Sequence, residues 1–173
     1  MPIPDAQHRI VVCDASPLIF LAKLDALELL GQVVPGRLIV LQQVWNEIMS
    51  EQAGPAELDR LREWMEDVEV VDCQDRFLST SVLSLSDQST LAWAVKNDAA
   101  WMVADERLLR GIALQRGIRV IGFCGILVKA VERGLLAASK ARMMLDAAVD
   151  HHGLRISIAL YRRIMEALAG SGG

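Results

Sequence analysis

The feature that most constrains this chain is a set of five short, almost wholly apolar segments. They are Ile10–Cys13, Arg37–Leu41, Val68–Val71, Trp101–Ala104 and Ile118–Ile121. Strands of a parallel sheet are covered on both faces, so they lack the polar alternation of strands with one wet face. Because helical patterns separate these segments, we expect a three-layer α/β/α sandwich with a central parallel sheet of about five strands.

The helical patterns cover about 17–31, 42–52, 56–66, 87–97, 106–116, 122–133, 139–150 and 157–168. Ser86 or Asp87 is expected to cap the fourth of these helices, Ser139 the seventh and Ser157 the eighth. Gly117 is placed to end the fifth. The stretch Asp72–Leu85 predicts a short helix and little more. We expect one domain over residues 1–173, with a core at about 10–134 and a helical extension at about 135–169.

Composition agrees with a globular, cytoplasmic protein. A hydrophobic fraction of 53% and a mean hydropathy of +0.30 are sufficient for a sizeable core. No apolar run approaches the roughly 18 residues of a membrane span. The first ten residues lack the pattern of a secretory signal. Three scattered cysteines argue against a disulfide framework and suit a reducing compartment.

The net charge of −4 conceals an asymmetry between the two halves of the chain. Residues 1–86 carry 6 Lys/Arg against 14 Asp/Glu, and residues 87–173 carry 12 against 8. The two halves therefore carry −8 and +4. This predicts either a basic surface beside an acidic site or charges spread over the solvated faces of different helices.

Two aspartates directly follow predicted strands. Asp14 follows Ile10–Cys13, and Asp105 follows Trp101–Ala104. In open α/β sheets, ligands bind at the carboxyl edge where the strand order reverses. If these strands are neighbours there, the two carboxylates can share one hard divalent cation such as Mg²⁺. The alternative for each aspartate is a turn former or a helix N-cap.

Four segments around acidic residues are similar to the motifs of PIN-domain nucleases, in the same order and at similar spacing. They are Cys13–Ile19, Val44–Ile48, Leu85–Ala94 and Val103–Arg107. Arg155-Ile156-Ser157 and the helix that bears Tyr161 also resemble a branch of the VapC toxin type. The similarity extends from Ile10 to about Ala169.

The resemblance implies metal-dependent hydrolysis of RNA. It assigns Asp14, Glu47, Asp87 and Asp105 as catalytic ligands of Mg²⁺ or Mn²⁺. It also implies a cognate antitoxin protein that covers the site, and a homodimer.

Two of these acids have other interpretations. The third acid of this branch is commonly a Glu after Gly, whereas Asp87 follows Ser86 and could reach the metal through water or merely cap its helix. On an ideal helical wheel, Glu47 lies well to one side of the apolar face and Glu51 lies somewhat nearer to it. Periodicity alone therefore predicts two solvated glutamates, and only the resemblance favours Glu47 as the second acid.

Three further residues are expected near the acids. Ser16 could position the Asp14 carboxylate or a water on the metal, or could belong to an ordinary turn that places Pro17 at the first helical position. Arg107 and Arg110 could contact RNA phosphates or could be surface arginines of their helix.

Two other functions fit the same pattern less well. A non-catalytic PIN fold that binds proteins would be expected to have lost an acid, and all four remain. A metal-dependent phosphotransferase on a related sandwich would require Asp-x-Asp, and Asp14-Ala15-Ser16 lacks the second Asp.

Overall fold

The computed structural model describes residues 9–50, 54–76 and 82–170. Its sheet has five parallel strands in the spatial order β3-β2-β1-β4-β5. The strands are β1 (Ile10–Cys13), β2 (Arg37–Leu41), β3 (Glu69–Val71), β4 (Trp101–Val103) and β5 (Arg119–Ile121). All five lie where the apolar segments predicted them, with ends that differ by at most one residue.

The strand order reverses at β1. From β1 the chain proceeds outward to β2 and β3, then returns to place β4 on the other side of β1 and β5 beyond it. The strands before Asp14 and Asp105 are therefore neighbours at the reversal, which is the condition that the sequence left open.

Nine helices lie within the described ranges. They are α1 (Ala15–Lys23), α2 (Glu28–Val33), α3 (Gln42–Ser50), α4 (Pro55–Met65), α5 (Leu85–Lys96), α6 (Arg107–Gln115), α7 (Phe123–Glu132), α8 (Ala138–Asp150) and α9 (Ile158–Gly170). Helix α1 packs with α4 and α7, and α2 packs with α7, whereas α5 packs with α6. Two helical layers thus flank the sheet, as predicted for an α/β/α sandwich.

The prediction of one helix over 17–31 was wrong, because the chain forms α1 and α2 with a break between them. Asp25 lies in this break with φ of 54°, in the left-handed region that Asp tolerates better than most residues. Arg60 stabilises the break, since it pairs with the Asp25 carboxylate at 3.0 Å and donates to the Ala22 carbonyl at 3.0 Å. Helix α1 also begins before Pro17, which is therefore not at the first helical position.

The helix caps differ in part from the prediction. Helix α5 begins earlier than expected, and Ser84 caps it rather than Ser86 or Asp87. Ala137 occupies the N-cap of α8, so Ser139 is not its cap. The Ser157 hydroxyl accepts a hydrogen bond from Leu160 N at 3.1 Å, as predicted for α9. Gly117 has φ of +79° and follows the end of α6, also as predicted.

The predicted short helix within Asp72–Leu85 falls partly on residues 77–81, which lie outside the described residues. The described parts of this stretch are not helical before Leu85 itself, where α5 begins. Across the described residues, no helix has both the length and the apolarity to span a membrane.

The core extends from the sheet into the C-terminal helices. Val12, Ile39 and Met102 are fully buried in the three central strands. Leu145 of α8 and Leu168 of α9 are equally buried and belong to the same apolar cluster. Helices α8 and α9 therefore pack as part of the body, and the polar residues of interest collect at the carboxyl edge of the sheet.

Candidate functional site

Asp14 and Asp105 lie side by side at the carboxyl edge of the sheet. Cys13 is in register with Val103, and the Asp14 backbone amide donates to the Val103 carbonyl at 2.9 Å. Asp14 is therefore level with the end of β4, and Asp105 lies two residues beyond Val103. The hydrogen-bond ladder thus places both aspartates at the topological switch point, where ligands of open α/β sheets bind.

Asp14 is buried among other acids, with only 5% of its surface exposed. Burial raises its pKa from 3.8 to about 8, and the charges of Asp87, Glu47 and Asp105 contribute to the increase. The Ala15 amide opposes it. Asp14 occupies the N-cap of α1, but its side chain makes no capping hydrogen bond. The Asp14 carboxylate therefore does not cap the helix, which was the alternative to a functional role.

Several neighbouring groups interact with the Asp105 carboxylate. Burial raises its pKa, whereas the Phe123 amide, the Arg110 guanidinium and the Ser16 hydroxyl lower it. The Phe123 amide donates to Oδ1 at 2.9 Å. The other carboxylate oxygen, Oδ2, is buried and has no hydrogen-bond partner of good geometry among the described residues. A buried oxygen without a donor is costly unless a cation or proton satisfies it.

Glu47 faces the same edge from α3. Its side chain is half-buried, and its Oε2 accepts a 2.6 Å hydrogen bond from the Ser86 hydroxyl at the start of α5. Its charge also contributes to the raised pKa of Asp14. Glu47 is thus near the aspartates despite its position beside the apolar face of the wheel. The alternative, Glu51, lies outside the described residues.

Asp87 combines the two roles that the sequence offered as alternatives. Its amide donates to the Ser84 hydroxyl at 3.1 Å, and its Oδ2 accepts from the Ser84 amide at 3.3 Å, which together form a capping box. Among the neighbouring charges, that of Asp87 does most to raise the pKa of Asp14. The cap therefore fixes this carboxylate beside the other acids.

Ser16, Arg107 and Arg110 lie around the acids in different ways. The Ser16 hydroxyl lies at the Asp105 carboxylate and lowers its pKa, whereas the predicted carboxylate partner was Asp14. Arg110 is half-buried and donates to the Ala104 carbonyl at 3.1 Å. Arg107 is exposed.

Sequence reasoning missed Gly122, which follows β5 and precedes α7. A Cβ built there would lie 2.2 Å from Asp105 Oδ1, 2.6 Å from Arg110 Nη1 and 3.1 Å from the Ala104 carbonyl oxygen. Only glycine leaves room for these contacts. The signal was a glycine directly after a predicted strand, in the position that aspartate holds after β1.

The donor set fits a hard divalent cation. Four carboxylates face one edge, and oxygen ligands of this kind suit Mg²⁺ and Mn²⁺. Among the residues described, no three acidic, histidine or cysteine side chains are already close enough to hold a metal ion together. Like charges repel, so these carboxylates converge only when a cation or protons compensate them.

One family model and two solved structures are similar to this chain. A family model described as "PIN domain" matches residues 10–170. A PilT N-terminus domain protein from the archaeon Sulfolobus solfataricus P2 has 14% identity and a TM-score of 0.49, with 85% of this chain and 99% of that chain covered. A domain of a functionally unknown protein from Methanocaldococcus jannaschii DSM 2661 has 17% identity and a TM-score of 0.46, with 66% and 90% covered.

No curated protein matches the chain at a significant level. Both structural TM-scores lie below 0.5, so the family assignment comes from the sequence model, which spans nearly the whole chain. The chain belongs to the PIN-domain family.

Proposed function

We propose that this protein is a metal-dependent endoribonuclease that hydrolyses RNA phosphodiester bonds. The observation that carries the proposal is the buried Asp105 Oδ2, which has no hydrogen-bond partner among the described residues and lies at the sheet edge where Asp14, Glu47 and Asp87 also gather. Several carboxylates at one edge of the sheet attract a cation. PIN domains are generally metal-dependent nucleases, and this chain retains all four acids.

Asp14, Glu47, Asp87 and Asp105 would hold Mg²⁺ or Mn²⁺. When bound, either ion supplies Lewis-acid polarisation of a phosphodiester and lowers the pKa of a coordinated water. The protein supplies the fixed geometry. Phe123 and Ser16 hold Asp105, Ser86 holds Glu47, and the capping box holds Asp87. Groups that orient metal ligands in this way commonly affect metal affinity 10- to 100-fold.

Arginines beside the acids would bind the RNA. Arg107 is exposed just beyond Asp105, and exposed cations at such a position attract phosphates. Arg110 also lies there, but its hydrogen bond to Ala104 and its charge beside Asp105 give it a second, structural role. We propose Arg107 as a phosphate contact and Arg110 mainly as a support of Asp105.

The test is cleavage of labelled single-stranded RNA by purified protein in EDTA, before and after excess Mg²⁺ or Mn²⁺ is added. We expect no cleavage in the chelator and cleavage with either ion, because all the proposed ligands are hard oxygens. An Asp14→Asn preparation, purified in parallel, reports any contaminating nuclease. Cleavage that persists in excess chelator, or no cleavage with either ion, contradicts the proposal.

We also propose that the protein is the toxin of a toxin–antitoxin pair, as a homodimer whose acidic site is covered by a cognate antitoxin. The support is the similarity of its motifs to those of VapC-type proteins. Expression of the wild-type protein should arrest growth, and Asp14→Asn should not. Co-expression of a short neighbouring reading frame should restore growth. Equal growth of both strains would contradict the toxin role and leave the nuclease chemistry to the cleavage assay.

A further inference from the structure

A groove of about 720 Å³ opens beside the acidic edge. We call it the α6–α9 groove, because α6, β5, α7, the segment 154–157 and α9 enclose it. Its walls are mainly apolar and include Val120, Val128, Leu154, Ile156, Leu160 and Ile164. Cavities of about 300–1,000 Å³ with apolar walls typically accept groups the size of small molecules.

The groove is continuous with the proposed metal site, because Asp105 lines both. A ligand that entered it would therefore lie next to the acids. This position distinguishes it from the depression around Asp98 and Arg119, which lies at the opposite end of β4 and β5.

The charge at the groove is positive. Its lining contains Arg107, Arg110, Lys129 and Arg155 but only one acid, Asp105. Lys129 is paired with Glu132 at 2.6 Å. Arg107 and Arg155 are exposed and form no hydrogen bond or ion pair with any residue that the structure describes. These two cations are therefore available to an anionic ligand.

An apolar cleft bordered by uncommitted arginines matches the chemistry of an unpaired nucleotide. The flat base is suited to the apolar walls, and its flanking phosphates are suited to the guanidinium groups. A duplex is a poor match, because its bases are stacked and paired within the helix.

We propose that the α6–α9 groove binds one unpaired nucleotide of single-stranded RNA, next to the phosphate presented to the acids. The base lies among Val128, Ile156 and Leu160, and the flanking phosphates contact Arg107 and Arg155. The proposal rests on the proposed ribonuclease function for the identity of the ligand. The groove would hold the unpaired base, and the protein would therefore select single strands over duplexes.

The experiment measures binding rather than cleavage. A fluorescein-labelled single-stranded oligoribonucleotide and a duplex of the same sequence are titrated with protein in EDTA, with fluorescence anisotropy as the readout. Chelator prevents hydrolysis, so the result is independent of whether the protein cleaves RNA. Circular dichroism and thermal unfolding check that each variant is folded.

Two matched pairs of variants separate the groove from the rest of the surface. Arg155→Ala removes a cation at the groove, and Arg162→Ala removes an exposed cation from α9 that does not line it. Leu160→Trp fills the groove at a side chain that is 39% exposed. Leu135→Trp adds the same bulk outside the groove, at a side chain that is 41% exposed.

We expect the wild-type protein to bind the single strand at least about tenfold more tightly than the duplex, since burial of about 60 Å² of apolar base surface accounts for an effect of that size. Leu160→Trp should abolish this preference, and Arg155→Ala should weaken binding of the single strand several-fold. Both control variants should bind like the wild type.

Equal binding of single strand and duplex, normal binding by both groove variants, or no RNA binding in chelator would each overturn the groove proposal. A protein that binds as expected here but never cleaves RNA would overturn the proposed function and leave the groove assignment intact. If the wild-type protein cleaves RNA but both groove variants bind RNA normally, the groove proposal is overturned and the proposed function stands.

Discussion

The Phe123 backbone amide donates a 2.9 Å hydrogen bond to Asp105 Oδ1, and this bond joins the acid after β4 to the first turn of the helix after β5. The amide belongs to the N-terminus of α7, where unpaired N–H groups and the helix dipole favour negative charge. One oxygen of Asp105 is thereby fixed, and the other has no donor of good geometry in the part of the chain that the structure describes. The orientation of this carboxylate is thus determined by a neighbouring strand–helix junction.

The first prediction concerns that junction. Gly122→Ala should reduce metal-dependent cleavage at least about tenfold, because its Cβ would contact Asp105 Oδ1 at 2.2 Å and displace a carboxylate whose position matters. Gly111→Ala is the matched control, since no heavy atom lies within 4 Å of a Cβ added there. It lies within α6 and should stabilise the protein by about 0.5–1 kcal/mol without loss of activity. Unchanged cleavage in Gly122→Ala would contradict this account of Asp105.

The second prediction separates two serines at the start of α5. The Ser86 hydroxyl donates to Glu47, whereas the Ser84 hydroxyl caps the helix. Ser86→Ala should weaken Mn²⁺ binding, measured by calorimetry, by about 10-fold or more while unfolding stays nearly unchanged. Ser84→Ala should lower the free energy of unfolding by about 1 kcal/mol through the lost cap. If Ser86→Ala binds Mn²⁺ like the wild type, Ser86 does not position a metal ligand.

The sequence predicted where two of the acids lie, because the ends of buried strands can be recognised from the sequence. Asp14 and Asp105 directly follow short apolar segments, and the parallel sheet placed both at one edge. The helix predicted at 42–52 is also present, but the helical wheel could not show that Glu47 would approach the aspartates. That approach depends on a hydrogen bond to Ser86, 39 residues away.

Predictions from local sequence patterns were wrong or incomplete where a contact with a residue distant in sequence determines the structure. Residues 17–31 have helical periodicity, yet Arg60 stabilises a break at Asp25 from another helix. Ser16 was paired with the nearer Asp14 in sequence, although the fold presents it to Asp105. Gly122 was not predicted, because its importance comes from Arg110 on α6 and from Ala104 and Asp105 after β4.

The third prediction concerns pH. Asp14 has a pKa of about 8 in the folded protein against an ordinary value of 3.8, so between these values the folded state binds more protons than the unfolded state. The free energy of unfolding of metal-free protein should therefore decrease as pH rises from about 4 to 8, with a contribution from this group of up to about 1.4 kcal/mol per pH unit. Asp14→Asn should flatten that decrease, and Asp98→Asn, at an exposed position, should not.

Denaturant unfolding in EDTA at several pH values measures this dependence. Identical pH profiles for the wild type and Asp14→Asn would show that Asp14 is already ionised throughout the range. The burial and mutual repulsion of these carboxylates, which are the physical argument for a cation at the site, would then be contradicted.

The fourth prediction concerns the phosphate contact made by Arg107, beside Asp105 at the edge of the groove. Arg107→Ala should flatten the salt dependence of RNA binding by about one unit of log–log slope at every sequence. Lys140→Ala removes an exposed cation of α8 and should leave the slope unchanged. Arg110→Ala should instead impair cleavage, because it removes the charge that opposes the raised pKa of Asp105. An unchanged slope in Arg107→Ala would make Arg107 a simple surface residue.

The central claim is that the carboxylates at the sheet edge form one metal site for RNA hydrolysis, and the most direct test compares three Asp→Asn variants. Cleavage of single-stranded RNA is measured with Mg²⁺ or Mn²⁺ for Asp14→Asn, Asp105→Asn and the exposed control Asp98→Asn, after each is shown to be folded. The account predicts that the first two lose cleavage, that both are at least as stable as the metal-free wild type because repulsion is relieved, and that the control keeps full activity. Cleavage at the wild-type rate in Asp14→Asn and Asp105→Asn would contradict it.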